Sequence, residues 1–225
     1  MCTVIANAHG ASISTIEHLI AALWGCGIDN ALIAVDGPEI PIMDGSSKCF
    51  IDTLQKIGTI EQNQARLYIK LIKPIRVESG DKFVELLPND DCNGLLIDMT
   101  IDFTHPSIGV QTLTFDDRND LFCEKIGGAR TFGFIKDLET LQARGCSKGA
   151  SLENAIGLDE TKILNPEGLR YDDEFVRHKI LDCIGDMYLT GHRLICKIKA
   201  HKSGHSLHND ALKALFADPH SYIKE

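Results

Sequence analysis

The sequence predicts an α+β protein: two α/β-sandwich-like layers in which helices pack against sheets. Three observations carry this. Segments with apolar residues every three or four positions alternate with short β-branched runs, the marks of helix and strand. Both kinds occur on either side of a polar stretch without periodicity, residues 58–66. Beyond that stretch the strand signals restart in close succession. The reading is a first α+β domain at residues 1–62 and a second at 67–225.

Composition bounds the class. The 225 residues, 44 % hydrophobic and 24 % charged, suffice for a sizeable core. No run approaches the roughly 18 apolar residues of a membrane span. The first ten residues lack a charged region and a long apolar core, so they do not read as an export signal. The net charge of −9, with no Lys/Arg-rich run, argues against a nucleic-acid partner. It leaves room for a local basic patch that meets a phosphorylated ligand. Eight cysteines are scattered without a C-x-x-C pair. Most are expected to be small buried residues in a reducing cytoplasm, in neither a disulfide framework nor a Cys₄ metal site.

The elements follow in order. Residues 11–27 predict a helix, with Ser12 and Ser14 as candidate N-caps and Ile16, Leu19, Ile20, Leu23 and Trp24 at helical spacing. The S-T-I-E spelling from Ser14 to Glu17 has the form of a capping box, and Gly25 and Gly27 end the helix. Residues 28–36 read as a strand, 36–38 as a turn, 40–46 as an extended piece into a second turn, and 48–57 as a helix capped by Gly58. Strands are expected at 67–71, at 75–78 and 83–87 (a hairpin across the turn 79–81), at 95–103 after a turn at 89–94, and at 111–115. Lys82, at the hairpin, is a surface lysine by default and a phosphate contact if a site lies near. A short helix at 118–126 leads into G-G-A-R-T-F-G-F, residues 127–134, where three glycines suggest close backbone approach. Then come a helix at 136–144, a small-residue stretch at 149–151, a turn at 164–168, the helix treated next, a strand at 194–200, a polar loop at 201–209 and a helix at 210–216.

The segment R-H-K-I-L-D-C-I-G-D, residues 177–186, organises the rest. His178, Asp182 and Asp186 succeed one another at i, i+4 and so share one face of a helix. An imidazole above a carboxylate can grip a divalent metal, with a third acid behind. An amphipathic helix with a polar stripe accounts for the same spacing. His18, preceded by Glu17, supplies the second nitrogen that a His/His/Asp zinc site lacks, and three protein ligands leave the fourth position for water. Glu17 then has two readings: a capping-box residue, or a base directed at that water. Cys183 is five residues beyond His178 and points off the metal face. The loop 201–209 holds His201, His205 and His208, which read as extra metal ligands, an acid/base site or solvated side chains. His205 follows a glycine, and a carboxylate partner would fix its tautomer and raise its pKa.

Five spellings together, T-I-E-H-L (15–19), P-E-I-P-I-M-D-G-S (38–46), A-R-T-F-G-F (129–134), D-E-F-V-R-H-K-I-L-D-C-I-G-D (173–186) and K-S-G-H-S-L (202–207), resemble one family, in order along the whole chain. It is the zinc-dependent UDP-3-O-acyl-N-acetylglucosamine deacetylase of Gram-negative bacteria. The resemblance implies zinc ligands at His18, His178 and Asp182, a general base at Glu17 and a general acid at His205 oriented by Asp186. It implies an oxyanion contact at Thr131. It also places substrate contacts at Phe132, Lys179 and Lys82, and an acyl passage near Gly149, Ala150 and Ser151. The implied activity is hydrolysis of the N-acetyl group of a UDP-sugar carrying an acyl chain, in lipid A biosynthesis in the cytoplasm. No membrane span is implied, and a lipid-like substrate leaves room for peripheral membrane contact. Family members carry further strands before T-I-E-H-L, so the first domain is expected to be N-terminally incomplete. A shortened chain of low or no activity is the alternative reading. A zinc peptidase is disfavoured, because its H-E-x-x-H helix is absent and here the acid precedes the histidine.

Overall fold

The computed structural model describes residues 2–89, 93–143 and 149–225. The chain opens with a small antiparallel hairpin, β1 (Val4–Ala6) against β2 (Ser12–Ser14), with Val4 opposite Ser14. Thr15 then turns the chain with φ 59°, a left-handed conformation uncommon for a β-branched residue. Its hydroxyl donates to Glu39 at 2.6 Å, which holds the turn. Helix α1 (Glu17–Gly25) follows, then α2 (Lys48–Ile57).

The main sheet is built from β3 (Tyr68–Leu71), β4 (Ile75–Ser79), β5 (Lys82–Leu87), β6 (Leu95–Asp102) and β7 (Val110–Asp116). Helix α3 (Phe122–Lys125) leads to β8 (Phe132–Phe134), α4 (Ile135–Ala143) and β9 (Ile156–Leu158), and β8 pairs in parallel with β9. Helix α5 (Glu174–Met187) and a single 3₁₀ turn, Tyr188–Thr190, precede β10 (Arg193–His201), α6 (His205–Ala217) and β11 (Tyr222–Lys224).

The long strand β10 is the axis of a seven-stranded sheet. It runs parallel to β3 over its first residues and to β6 over the rest, and antiparallel to β5. Strands β4, β7 and β11 pair with β5, β6 and β3. The reason is legible in β6, where Leu95, Ile97, Met99 and Ile101 are buried and alternate with less buried residues, so one face of the pleat meets the core. Helix α5 lies in the crossover between parallel strands β6 and β10 and packs on β6 and β7. It is buried nearly all round, with only Arg177 and Lys179 reaching the surface. Its Phe175, Val176, Ile180, Leu181, Ile184 and Met187 enter the same apolar cluster as Ala21, Ala22 and Trp24 of α1.

The structure corrects several expectations. Ser14 belongs to β2, and α1 starts at Glu17 with Ile16 at its N-cap and no side-chain cap. Glu17 is therefore the first helical residue, and no capping box forms. Residues 28–36 make no ladder among the described residues: Leu32 is fully exposed, and Arg66 grips Asp29 and the Gly27 carbonyl instead. An apolar run becomes a strand only beside another strand. The helix read at 118–126 shrinks to α3, because Asp120 takes the amide of Asp116 and shapes a turn there. The loop read at 201–209 is mostly helix: α6 begins at His205, directly after extended Gly204. Strands β1, β2, β8, β9 and β11 are too short to carry a period-two signal. Residues 90–92 of the turn read at 89–94, the end of the helix read at 136–144, and Cys92 and Cys146 lie outside the described residues.

Candidate metal centre and the groups around it

Helices α1 and α5 cross closely because Gly185 has no side chain: a Cβ there would sit 2.2 Å from the Glu17 carbonyl oxygen. The crossing sets the first turn of α1 against the polar face of α5. Ser47, fully buried, donates to the His18 carbonyl at 2.7 Å and fixes this turn from the other side. Trp24 anchors the far end of α1, edge-on to Phe115 and Phe122 and capped by the Arg193 guanidinium.

At the crossing, His18, His178 and Asp182 converge, each nearly fully buried, with one donor atom apiece lying within 4.8 Å of the others. Asp182 Oδ1 is 3.4 Å from His178 Nε2 and 3.7 Å from His18 Nε2. Three ligands about 2.1 Å from a common tetrahedral centre lie about 3.4 Å apart, so the set fits one divalent ion of that geometry. Protonation agrees. His178 Nδ1 meets the Ala129 carbonyl at 3.1 Å, which puts its proton there and leaves the Nε2 lone pair facing Asp182. Burial, reinforced by the Lys179 charge against the pull of Asp182, pushes the His178 pKa down to about 3, so the ring is neutral. Burial opposes ionisation of Asp182, yet the Lys179 ammonium beside it helps hold it well below the usual carboxylate range. The Lys179 Nζ is 2.7 Å from Asp182 Oδ2 and 5.5 Å above the Phe132 ring. His18 Nδ1, buried, has no hydrogen-bond partner among the described residues.

The Ala129 carbonyl is itself held. The buried guanidinium of Arg130 pairs with the fully buried Glu174, whose Oε1 also accepts the Arg130 amide, all at 2.9 Å. The next residue, Thr131, has its backbone pinned between Gly45 and Ile156. Phe132 packs edge-on to Phe175 and faces His178 at 6.3 Å.

A second group lies against the first. Glu17, 3 % exposed, is 3.6 Å from His205 Nε2, which in turn is 4.0 Å from Asp182. Burial raises the Glu17 pKa. His205 Nδ1 meets Asp186 Oδ2 at 2.7 Å, and His208 Nδ1 meets the same oxygen at 2.7 Å. Burial disfavours charge on His205, but its bond to Asp186 and the charges of Asp182, Asp186 and Glu17 raise it to about 9. Asp186 is kept ionised against its burial by those two imidazoles. The result is a carboxylate and a protonated imidazole side by side, with the metal-competent cluster adjacent.

The structure thus brings Glu17, His18, His178, Lys179, Asp182, Asp186 and His205 together, with Thr131 and Phe132 on the adjoining segment. Lys82 is exposed at the tip of the β4–β5 hairpin, which the Asp81–Lys202 ion pair ties to the segment ahead of His205. Gly149 and Ser151 lie in an exposed loop closed on itself by Asn154. Cys183 is fully buried, and burial raises its thiol well above the ordinary value, so it stays protonated. Sequence reasoning missed Thr3, which touches Glu17, Asp186 and His205, and saw His208 only as one of three clustered histidines. The latter had a signal: once 205 starts a helix, 205 and 208 share a face.

A buried two-histidine, one-aspartate cluster with an adjacent carboxylate and imidazolium is the equipment of a metal-dependent hydrolase. Comparison with known proteins is specific. Residues 1–217 match the family described as UDP-3-O-acyl N-acetylglycosamine deacetylase, LpxC. A UDP-3-O-acyl-N-acetylglucosamine deacetylase of Shewanella pealeana is 52 % identical over 219 residues, 96 % of this chain and 71 % of the relative. Proteins of the same name from Idiomarina loihiensis and Photobacterium profundum are 52 % and 49 % identical, over 96 % and 99 % of this chain and 71 % and 73 % of the relatives. The chain belongs to the UDP-3-O-acyl N-acetylglycosamine deacetylase family.

Proposed function

We propose that the chain holds one Zn²⁺ on His18, His178 and Asp182 and hydrolyses the N-acetyl group of UDP-3-O-acyl-N-acetylglucosamine, releasing acetate, in the lipid A pathway of the cytoplasm. Family membership supports the reaction. The observation that carries the mechanism is the juxtaposition of the His18–His178–Asp182 donor set with the Glu17–His205 pair. When bound, zinc lowers the pKa of a water molecule and polarises the acetamide carbonyl. The chain's own residues do the rest. Glu17 Oε1 takes the proton of the attacking water; its burial strengthens it as a base. The Thr131 hydroxyl serves the oxygen that becomes negative. The His205 imidazolium gives its Nε2 proton to the departing amine, and Asp186 keeps that ring charged and oriented. Lys179 and Phe132 flank the sugar, Lys82 meets the nucleotide diphosphate, and the acyl chain runs past Gly149 and Ser151.

No helix among the described residues is long and apolar enough to cross a membrane. This suits an enzyme that meets its lipid-like substrate at most peripherally. Elemental analysis and acetate release from the purified chain test the proposal together. One zinc per chain is expected, lost in Asp182→Ala along with acetate release. Full zinc retention in that variant would refute the ligand set.

A further inference from the structure

Resting on that reading, we propose that Thr3 is a positioning residue: a single side chain and amide that clamp Glu17 and the Asp186–His205 pair into one register. Three contacts carry this. The Thr3 amide donates to Glu17 Oε2 at 3.1 Å. Its hydroxyl donates to Asp186 Oδ1 at 2.5 Å. The same hydroxyl oxygen lies 3.1 Å from His205 Nδ1. The hairpin delivers it there: pairing of Val4 with Ser14 carries the strand direction on, so that Thr3 runs alongside the turn entering α1.

The consequence is chemical. A threonine hydroxyl has one proton, and the ionised Asp186 takes it. What the hydroxyl offers His205 Nδ1 is therefore a lone pair. A bare Nδ1 would face that lone pair and the Asp186 Oδ2 lone pairs together; a protonated Nδ1 satisfies both. Thr3 thus commits the ring to the Nδ1–H form and reserves Nε2, the atom facing Glu17 and Asp182, for the transferable proton. By engaging Glu17 Oε2, the amide of the same residue leaves Oε1 directed at His205 Nε2. Asp186 gains a donor on each oxygen, with His208 Nδ1 on Oδ2 and its Nε2 held at 3.0 Å by Ser203.

The test compares Thr3→Val, which keeps the shape and the backbone amide but removes the hydroxyl, with Thr3→Ser, which restores it, in the zinc-loaded chain. Losing a hydrogen bond to a charged group costs about tenfold or more in rate if the bond serves the transition state. The expected result is a Thr3→Val enzyme with kcat down about tenfold, KM and zinc content unchanged, and recovery by Thr3→Ser to within about threefold. A kcat loss in Thr3→Val smaller than about threefold, a Thr3→Ser enzyme as slow as Thr3→Val, or a Thr3→Val chain that loses zinc would each overturn the inference. If the unmodified chain releases no acetate, the proposed reaction fails, and nitrogen NMR of labelled histidine then decides on Thr3 alone. Recorded well above pH 9, where the ring is neutral and tautomers exist, the His205 Nδ1 signal should be that of a protonated nitrogen in the unmodified chain and mix with the other tautomer in Thr3→Val. An unchanged signal overturns the clamp.

Discussion

Gly185→Ala probes the crossing of α1 and α5 on which the centre depends. The added methyl would begin 2.2 Å from the Glu17 carbonyl oxygen and 2.9 Å from its carbon, both backbone atoms that no rotamer change can move. The nearest comfortable carbon–oxygen contact is about 3.3 Å, so α1 must retreat by about 1 Å. Two terms oppose each other in stability. Overpacking an interior contact costs about 1–3 kcal/mol, while alanine in place of a mid-helix glycine returns about 1 kcal/mol. The net loss is therefore about 0–2 kcal/mol, and the variant folds. Metal binding has no such offset, because His18 follows Glu17 and moves with it, widening a 3.7 Å donor separation that already exceeds the tetrahedral value. A displacement of this size costs about a hundredfold in rate. We expect metal affinity to fall by about tenfold to a hundredfold, measured by competition with a chromophoric chelator, with the melting temperature of the metal-free chain lowered by no more than about 8 °C. Unaltered affinity together with an unaltered crossing distance in a crystal structure would show that the close approach is not what sets the site.

Three further outcomes follow from the site. The rate should be bell-shaped in pH, falling on the acid side as Glu17 protonates above its ordinary 4.5 and on the alkaline side as His205 loses its proton near about 9. Because Asp186 stabilises the imidazolium, Asp186→Asn must lower the His205 pKa and move the alkaline limb to lower pH; an unmoved limb in a pH–rate series refutes the pairing. Glu174→Gln leaves the Arg130 charge buried with half its partner, so unfolding in denaturant should show a loss of about 3–5 kcal/mol. A loss under about 1 kcal/mol would mean that Glu167 and the Gly168 carbonyl suffice to hold Arg130.

What the sequence disclosed depended on how local the signal was. Helix α2 and strand β6 match their predicted spans closely, because each buries one face at its own period and needs no distant partner to be recognised. The i, i+4 ladder of His178, Asp182 and Asp186 was legible for the same reason. Residues 28–36 carried an equally good strand spelling and form none, since pairing is decided by neighbours that composition cannot reveal. The capping-box spelling at Ser14 misled because Thr15 adopts φ 59° and breaks the helix before it begins. At the site, His18 and Glu17 were singled out first as a histidine with a carboxylate beside it and then by resemblance; their geometry depends on Gly185 and Ser47, small residues with no chemical signature. Thr3 and the Arg130–Glu174 pair were invisible, because each matters only through contacts made far along the chain.

The ligand set spans residue 18 to residue 182, and this distance bears on how the protein is made. A contact between α1 and α5 closes a loop of most of the chain, the kind of pairing that forms late because its entropic cost is met only once intervening structure exists. During synthesis, His18 leaves the ribosome long before its two partners on α5, and the first turn of α1 has nothing to close upon. The same turn holds Glu17, whose carboxylate is costly to bury until Thr3, His205 and the metal-competent face of α5 surround it. Competence to bind the ion therefore reports completed folding: a chain halted before α5 has only one histidine of the ligand set, His18, and no cluster, and a chelator added during refolding should slow only the last phase, when the two helices meet.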